Sequence, residues 1–263
     1  MALVDPEFQP YRHLHGAKGS LHPEAGACFI CEGRFLVESA LAAGREGRLR
    51  VLSVLTTPEA SQPLSPFVPE GTRILSLEEE ELQTLVGFPF HRGVLCAVAT
   101  PPEPPEAQLF EAKRLVVLPH VDNVDNLGLI LRSAAALGMD GVLAGRGPGV
   151  FERRTVRVSM GAAWSLPVWQ REDPMPLLEQ WRQARPELPT ELVGAALVPG
   201  ALDARCWKPA PRTALVLGPE GHGLDPVWLA RCDRHVAIPM ALGMDSLNVA
   251  AAGAILMFRM MEG

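Results

Sequence analysis

Three short stretches carry side chains whose type and spacing suit chemistry. The first is HVDNVDNLGLILR, where Asn126 and Gly128 open an apolar helical run and Arg132 lies one to two turns inside it. An Asn at a helix start is usually a cap, because its side-chain oxygen accepts an otherwise unpaired first-turn N–H. Arg132 asks for more. Its neighbours Leu129, Ile130, Leu131, Ala134 and Ala135 are apolar, and a guanidinium embedded there needs a partner or a wet cleft. The second stretch, LGPEGHGL (Leu217 to Leu224), has three glycines that let backbone approach a ligand closely, with Glu220 among them. The third, IPMALGMDSLNVAAAGAILMF, places Ser246 and Asn248 around Leu247 at the mouth of a long apolar helix. Ser246 is the expected cap of that helix, which leaves Asn248 without a structural reason.

The glycine loop is neither GxGxxG followed by an acidic ribose ligand nor a Walker A loop with its Lys, so neither nucleotide fingerprint applies. Cys28 and Cys31 form a CxxC, while Cys96, Cys206 and Cys232 stand singly. No second pair completes a four-ligand zinc set, and the pair reads as small buried hydrophobes with no metal. Hydrophobic residues make up 48% of the 263 and charged residues 21%, the balance of a globular protein. No apolar run is long enough to span a bilayer, the N-terminus lacks a signal-peptide pattern, and five unmatched cysteines fit a reducing compartment. The expectation is a cytoplasmic protein. A formal charge of −6 argues against a strongly basic, non-specific nucleic-acid binder, but not against a local basic face.

These residues need elements to position them. PPEPPE (Pro101 to Glu106) reads as a stiff linker between two domains, 1–104 and 105–263, since repeated Pro sustains neither helix nor central strand. Thr56 to Gly71 is a Pro-rich surface loop within the first. Before the linker, a helix over Phe35 to Gly44 with a Gly stop alternates with strands over Leu49 to Thr57 and Arg92 to Thr100. The acidic run Glu78 to Glu81 forms a first helical turn. After the linker, apolar strands are expected at Arg114 to Pro119, Gly141 to Gly145, Leu192 to Val198, Thr213 to Gly218 and His235 to Pro239. Near-continuous apolar strands alternating with helices mean an α/β fold whose mostly parallel sheet is covered on both faces. Ligands bind such sheets beyond the carboxyl ends of the strands, where the three stretches fall.

Taken in order, Asn126-x-Gly128-x-x-x-Arg132, Gly218-x-Glu220-Gly221-x-Gly223-Leu224, and Ile238-Pro239-Met240 followed by Ser246-Leu247-Asn248 resemble the three signature motifs of the SpoU (TrmH-like) RNA 2′-O-ribose methyltransferases of the SPOUT superfamily. The resemblance runs from Leu115 to the C-terminus and includes VRVSMGAAWSLPV (Val156 to Val168) between motifs. Through EGRFLVESAL and FHRGVLCAV the first domain is similar, more loosely, to the ribosomal-protein-like α/β substrate-binding domain of many members. Pro219, the position of Gly243 and the lack of Asp-Pro before Asn126 depart from the common pattern without removing a side chain expected to do chemistry.

The resemblance implies a catalytic domain with a deep trefoil knot that holds S-adenosylmethionine, and a homodimer whose site is completed across the interface. It implies methyl transfer to a ribose 2′-hydroxyl, and the extra first domain favours ribosomal over transfer RNA. Carried over, Leu217, Gly218, Gly221, Ile238, Met240, Ser246 and Leu247 would hold the cofactor. Arg132, Asn126, Glu220, Ser246 and Asn248 would serve catalysis. An Arg is a poor proton acceptor, so fixing an RNA phosphate and stabilising the developing alkoxide is the easier role for Arg132. The competing class is a non-catalytic RNA-binding or ribosome-assembly protein that keeps the fold. A small-molecule α/β enzyme is disfavoured because the first domain would then have no role.

Overall fold

The structure, a computed structural model, describes residues 5–14, 19–90, 93–244 and 246–261. It forms two compact units, 1–102 with 149–161, and 103–148 with 162–263. Segment 149–161, which the sequence places after the boundary, thus lies in the first unit.

The first unit carries strands β1 (Ser20–His22), β2 (Gly26–Glu32), β3 (Val51–Thr56), β4 (Arg73–Ser76) and β5 (Val94–Ala99). Its early helices are α1 (Arg34–Arg45), α2 (Pro58–Ser61) and α3 (Glu79–Val86). The sheet order is β1-β2-β5-β3-β4, antiparallel except for the β3–β4 pair. One face buries Ile30, Leu55, Leu75, Leu82, Leu95 and Ala97 with Phe8 and Tyr11. The buried Tyr11 hydroxyl donates to the Ser53 carbonyl (2.9 Å) and accepts the Ala97 N–H (3.0 Å), pinning the N-terminal segment across β3 and β5. Gly44 does not end α1, which continues to Arg45. A Cβ there would come within 2.8 Å of Val51 Cγ2, so the glycine serves packing.

The chain continues through α4 (Glu106–Glu111), β6 (Arg114–His120), α5 (Val124–Ala136), β7 (Gly141–Arg146) and α6 (Arg153–Ser159), the last belonging to the first unit. It then runs through α7 (Ala162–Ser165), β8 (Val168–Gln170), α8 (Met175–Ala184), β9 (Thr190–Ala195), β10 (Leu202–Asp203), β11 (Arg212–Val216), α9 (Pro226–Arg231), β12 (Arg234–Ala237) and α10 (Val249–Met260). The seven strands of the second unit form one wholly parallel sheet in the order β10-β12-β9-β11-β6-β7-β8. This is the α/β architecture expected from the apolar strands. One face packs on a core with Trp169, Leu178, Trp181 and Trp228. Helices α5 and α10 pack on one another, and α10 also touches β9 and β11.

The end of the Pro-rich stretch is held by hydrogen bonds within the second unit. Trp169 Nε1 donates to the Pro104 carbonyl (2.9 Å), and the Glu103 carboxylate accepts from Gln170 N (3.0 Å) and from Arg171 Nη1 (2.7 Å). Proline excludes helix and ladder, but its carbonyl still accepts hydrogen bonds. Of FHRGVLCAV, His91 and Arg92 lie outside the described residues; Val94 to Val98 fall in β5.

Candidate active site

Four neighbouring strands, β12, β9, β11 and β6, end at the same edge of the parallel sheet. Their following loops bring the three sequence stretches together. A cavity of about 630 Å³ opens there, within the size range of small-molecule sites. Its wall is Ala195 to Val198 after β9, Leu217 to Leu224 after β11, Val236 to Ile238 at the end of β12, and Ser246 to Val249 leading into α10.

The glycine loop doubles back on itself. A Cβ on Gly218 would lie 2.4 Å from the Gly223 carbonyl carbon and 2.5 Å from Leu224 N, so only glycine fits. Gly221 and Gly223 have φ of +90° and +66°, the left-handed region that glycine enters without strain. Leu217 is buried beneath the loop, and a Cβ on Gly253 of α10 would come within 2.8 Å of its Cδ1. Hence α10 needs its small residues, because it crosses close over the strand end that carries the loop.

Asn248, not Ser246, caps α10. Its Oδ1 accepts from Ala250 N (2.9 Å) and Ala251 N (3.2 Å). That fixes the amide orientation and aims Nδ2 outward, where it donates to Asn126 Oδ1 (3.0 Å) and to Glu220 Oε1. One side chain therefore ties the first, second and third stretches together. Asn126 is likewise not the cap of α5. Asn123 holds that place, accepting from Asp125 N (2.8 Å), while Asn126 is buried within the first turn.

Leu217, Gly218, Glu220, Gly221, Ile238, Ser246, Leu247 and Asn248 line the cavity; Met240, Asn126 and Arg132 do not. Asn126 reaches the wall through Asn248, and Met240 begins the loop beyond Ile238. Arg132 is exposed on α5, on the face it shares with Leu129, and makes no hydrogen bond or ion pair among the described residues. The expectation that apolar neighbours embed it fails because Ile130, Leu131 and Ala134 turn inward while Arg132 turns outward at helical spacing. Two parts of the wall escape the sequence motifs. Ala195 to Val198 carry no polar signal, and His222 sits inside the quoted glycine loop without a motif role.

The cavity's chemistry restricts its ligand. Among the described residues its wall has no Lys or Arg, only Glu220 and His222 as titratable groups, and otherwise neutral polar, apolar and backbone atoms. That suits a nucleoside without phosphates and with a positive centre, held by backbone and apolar contacts. No cysteine is among the residues lining the cavity; Cys28 and Cys31 are buried in β2, with Cys31 opposite Cys96 of β5, and burial pushes the Cys28 thiol up to about 12.

Fold and cavity together define an α/β protein with a small-molecule-sized, uncharged-to-acidic cavity at the carboxyl edge of a parallel sheet. Residues 113–258 match the SpoU rRNA Methylase family model, and the chain belongs to that family. It is similar to an uncharacterized tRNA/rRNA methyltransferase of Mycobacterium tuberculosis, 34% identical over 257 residues that cover 95% of this chain and 87% of that protein. The 23S rRNA (guanosine(2553)-2′-O)-methyltransferase RlmP of Bacillus subtilis is 29% identical, with 88% of each chain covered. Among solved structures, the SpoU methyltransferase AviRb of Streptomyces viridochromogenes, in complex with S-adenosylmethionine, aligns over 98% of both chains with TM-score 0.79 and 25% identity. The protein is an S-adenosylmethionine-dependent RNA 2′-O-methyltransferase, as the three motifs imply.

Proposed function

We propose that the protein methylates a ribose 2′-hydroxyl of ribosomal RNA, with the cavity behind the glycine loop as its cofactor site. The observation that carries the reading is the Asn248 amide, which joins Asn126, Glu220 and the start of α10 at the cavity mouth. Leu217, Gly218, Gly221, Ile238, Ser246 and Leu247 hold S-adenosylmethionine through backbone and apolar contacts. When bound, the cofactor supplies an electrophilic methyl group on a sulfonium. The chain's own task is to orient the attacking hydroxyl and stabilise its developing charge while its proton passes to solvent water. Glu220 and Asn126 engage the Asn248 amide fully, so Asn248 positions the loops, and Ser246 offers a short neutral hydrogen-bonding group to the ribose. Arg132 fixes the adjacent phosphate and stabilises the developing alkoxide, a role suited to an always-charged planar guanidinium.

The exposed place of Arg132 supports a homodimer with a shared site. Leu129 of α5 and Ile255 and Phe258 of α10 are 40%, 42% and 55% exposed, an apolar stripe on two helices that pack together. Such a stripe is the surface a second copy would cover. In the homodimer proposed, a second copy covers this stripe and Arg132, one turn from Leu129, reaches the partner's cavity. The likeness to AviRb supports a deep trefoil knot. So does the path of the chain, in which the loops after β11 and β12 share one wall and α10 returns onto α5. The domain before the linker is the substrate-binding domain, and work on ribosomal RNA places the protein in the cytoplasm; among the described residues no helix is long and apolar enough to cross a membrane.

The test is single-turnover methylation of ribosomal RNA from cells lacking the protein, with the 2′-O-methyl position mapped. Calorimetry should show micromolar-scale binding of S-adenosylmethionine, about −8 kcal/mol. No methylation of ribosomal RNA, with methylation of transfer RNA instead, would reverse the substrate assignment.

A further inference from the structure

The first unit contains a second cavity, of about 300 Å³, lined by Glu32, Gly33, Arg34, Phe35, Leu36, Arg157 and Met160. It joins the two pieces of sequence that the catalytic reading leaves without a task, the start of α1 and the segment around α6. Phe35 is 61% exposed and Met160 37% exposed at its rim, although both are large apolar residues. The sequence RRTVRVS of α6 contains three arginines and no acidic residue, in a chain whose formal charge is −6.

The arginines are held in place from below. Glu32, 5% exposed at the end of β2, pairs with Arg153 and lies 3.4 Å from Arg157 Nη1. Arg153 also stacks on Phe88, with its guanidinium carbon 4.7 Å from the ring centroid. One buried carboxylate therefore serves two guanidiniums, and the surplus positive charge faces outward through Arg157, whose side chain is 38% exposed. Arg34, paired at 2.7 Å with Glu38 on the surface of α1, adds a second cation beside Phe35.

An exposed aromatic ring between fixed arginines fits a base stacked on the ring and its phosphates on the guanidiniums. Bases within an A-form duplex are not free to stack this way, whereas those of a single strand or loop are. We propose that this cavity grips a single-stranded RNA segment, with one base on Phe35 and backbone phosphates at Arg157 and Arg34. The proposal rests on the RNA-methyltransferase reading and names where the first unit holds its substrate.

Fluorescence anisotropy of the full-length protein tests it, using a short labelled single-stranded RNA of mixed sequence and the same sequence as a duplex. Phe35→Ala should weaken single-strand binding roughly tenfold, the usual worth of a stacked base, and affect the duplex less. Phe35→Tyr should restore it. Arg157→Gln and Arg34→Gln should each weaken binding and lower the salt dependence by about one phosphate contact. S-adenosylmethionine affinity should be unchanged in all four. If Phe35→Ala and both arginine variants bind RNA as the wild type does, the surface serves something else, such as a protein, and the proposal is overturned. Equal loss on duplex and single strand would overturn the stacking. A wild type that binds no RNA would instead bring down the functional reading beneath it.

Discussion

Asn248 uses all three hydrogen-bonding positions of its amide, two as donor and one as a shared acceptor, on residues 28 and 122 positions away and on its own helix start. Asn248→Ala should therefore lower stability by about 1 kcal/mol through the lost cap and also impair methylation. Asn248→Asp keeps an acceptor for the cap but sets a carboxylate against Glu220 in place of a donor. Its thermal melt should stay closer to wild type than that of the Ala variant, while single-turnover methylation should be lost. Arg132 predicts the opposite of a structural residue. Because it is exposed and bonds nothing among the described residues, Arg132→Ala should change stability by less than about 0.5 kcal/mol. Loss of a transition-state contact should nonetheless slow methylation on the order of a hundredfold or more, with cofactor affinity intact. Arg132→Lys should lose most of the rate, since the planar fork is gone. Parallel loss of melting temperature and rate would assign Arg132 to the fold instead.

At the scale of elements, the glycine loop after β11 is set by its own backbone. An added Cβ at Gly218 strikes Gly223 and Leu224 before it reaches any ligand, so Gly218→Ala should rearrange the loop. Calorimetry should find S-adenosylmethionine binding abolished while circular dichroism shows the sheet and helices retained. Unchanged affinity would mean that the cofactor does not lie against this loop. In the first unit, β2 and β5 bury thiols whose ionisation the fold opposes. Burial pushes Cys28 up to about 12 and raises Cys31 well above its ordinary value. A raised folded value means that the stabilisation is fully present below the thiol's unfolded pKa and is lost as pH rises through about 12. Chemical denaturation along an alkaline series should show a shallower loss for Cys28→Ala than for wild type.

At the scale of the whole molecule, the apolar stripe of α5 and α10 predicts assembly. Wild type should sediment as a dimer, and Phe258→Glu, placing a charge in the stripe, should sediment as a monomer with methylation lost. A monomeric, active wild type would refute the shared site. Truncation is a poor way to separate the units. Residues 149–161 belong with the first, and removing everything before the Pro-rich stretch would strip Arg153 and Arg157 of Glu32 and α6 of β2.

The sequence by itself determined the α/β class, the parallel sheet and the three loops that form the site. Each of these depends on local facts: apolar runs that need cover on both faces, and glycines that permit turns. It also supplied the family, because the motifs are ordered residue types. Only the tertiary structure decided which asparagine caps which helix, that Arg132 faces outward, and that the Pro-rich stretch is tied down by Trp169 and Arg171. The short β10 and β8 and the assignment of α6 to the first unit were equally hidden. The reason lies in distance along the chain and in where elements end. An anchoring carbonyl is settled by a partner dozens of residues away, and a cap by where its helix begins, while a sequence pattern specifies a residue's own element far more closely than its ends or what it meets.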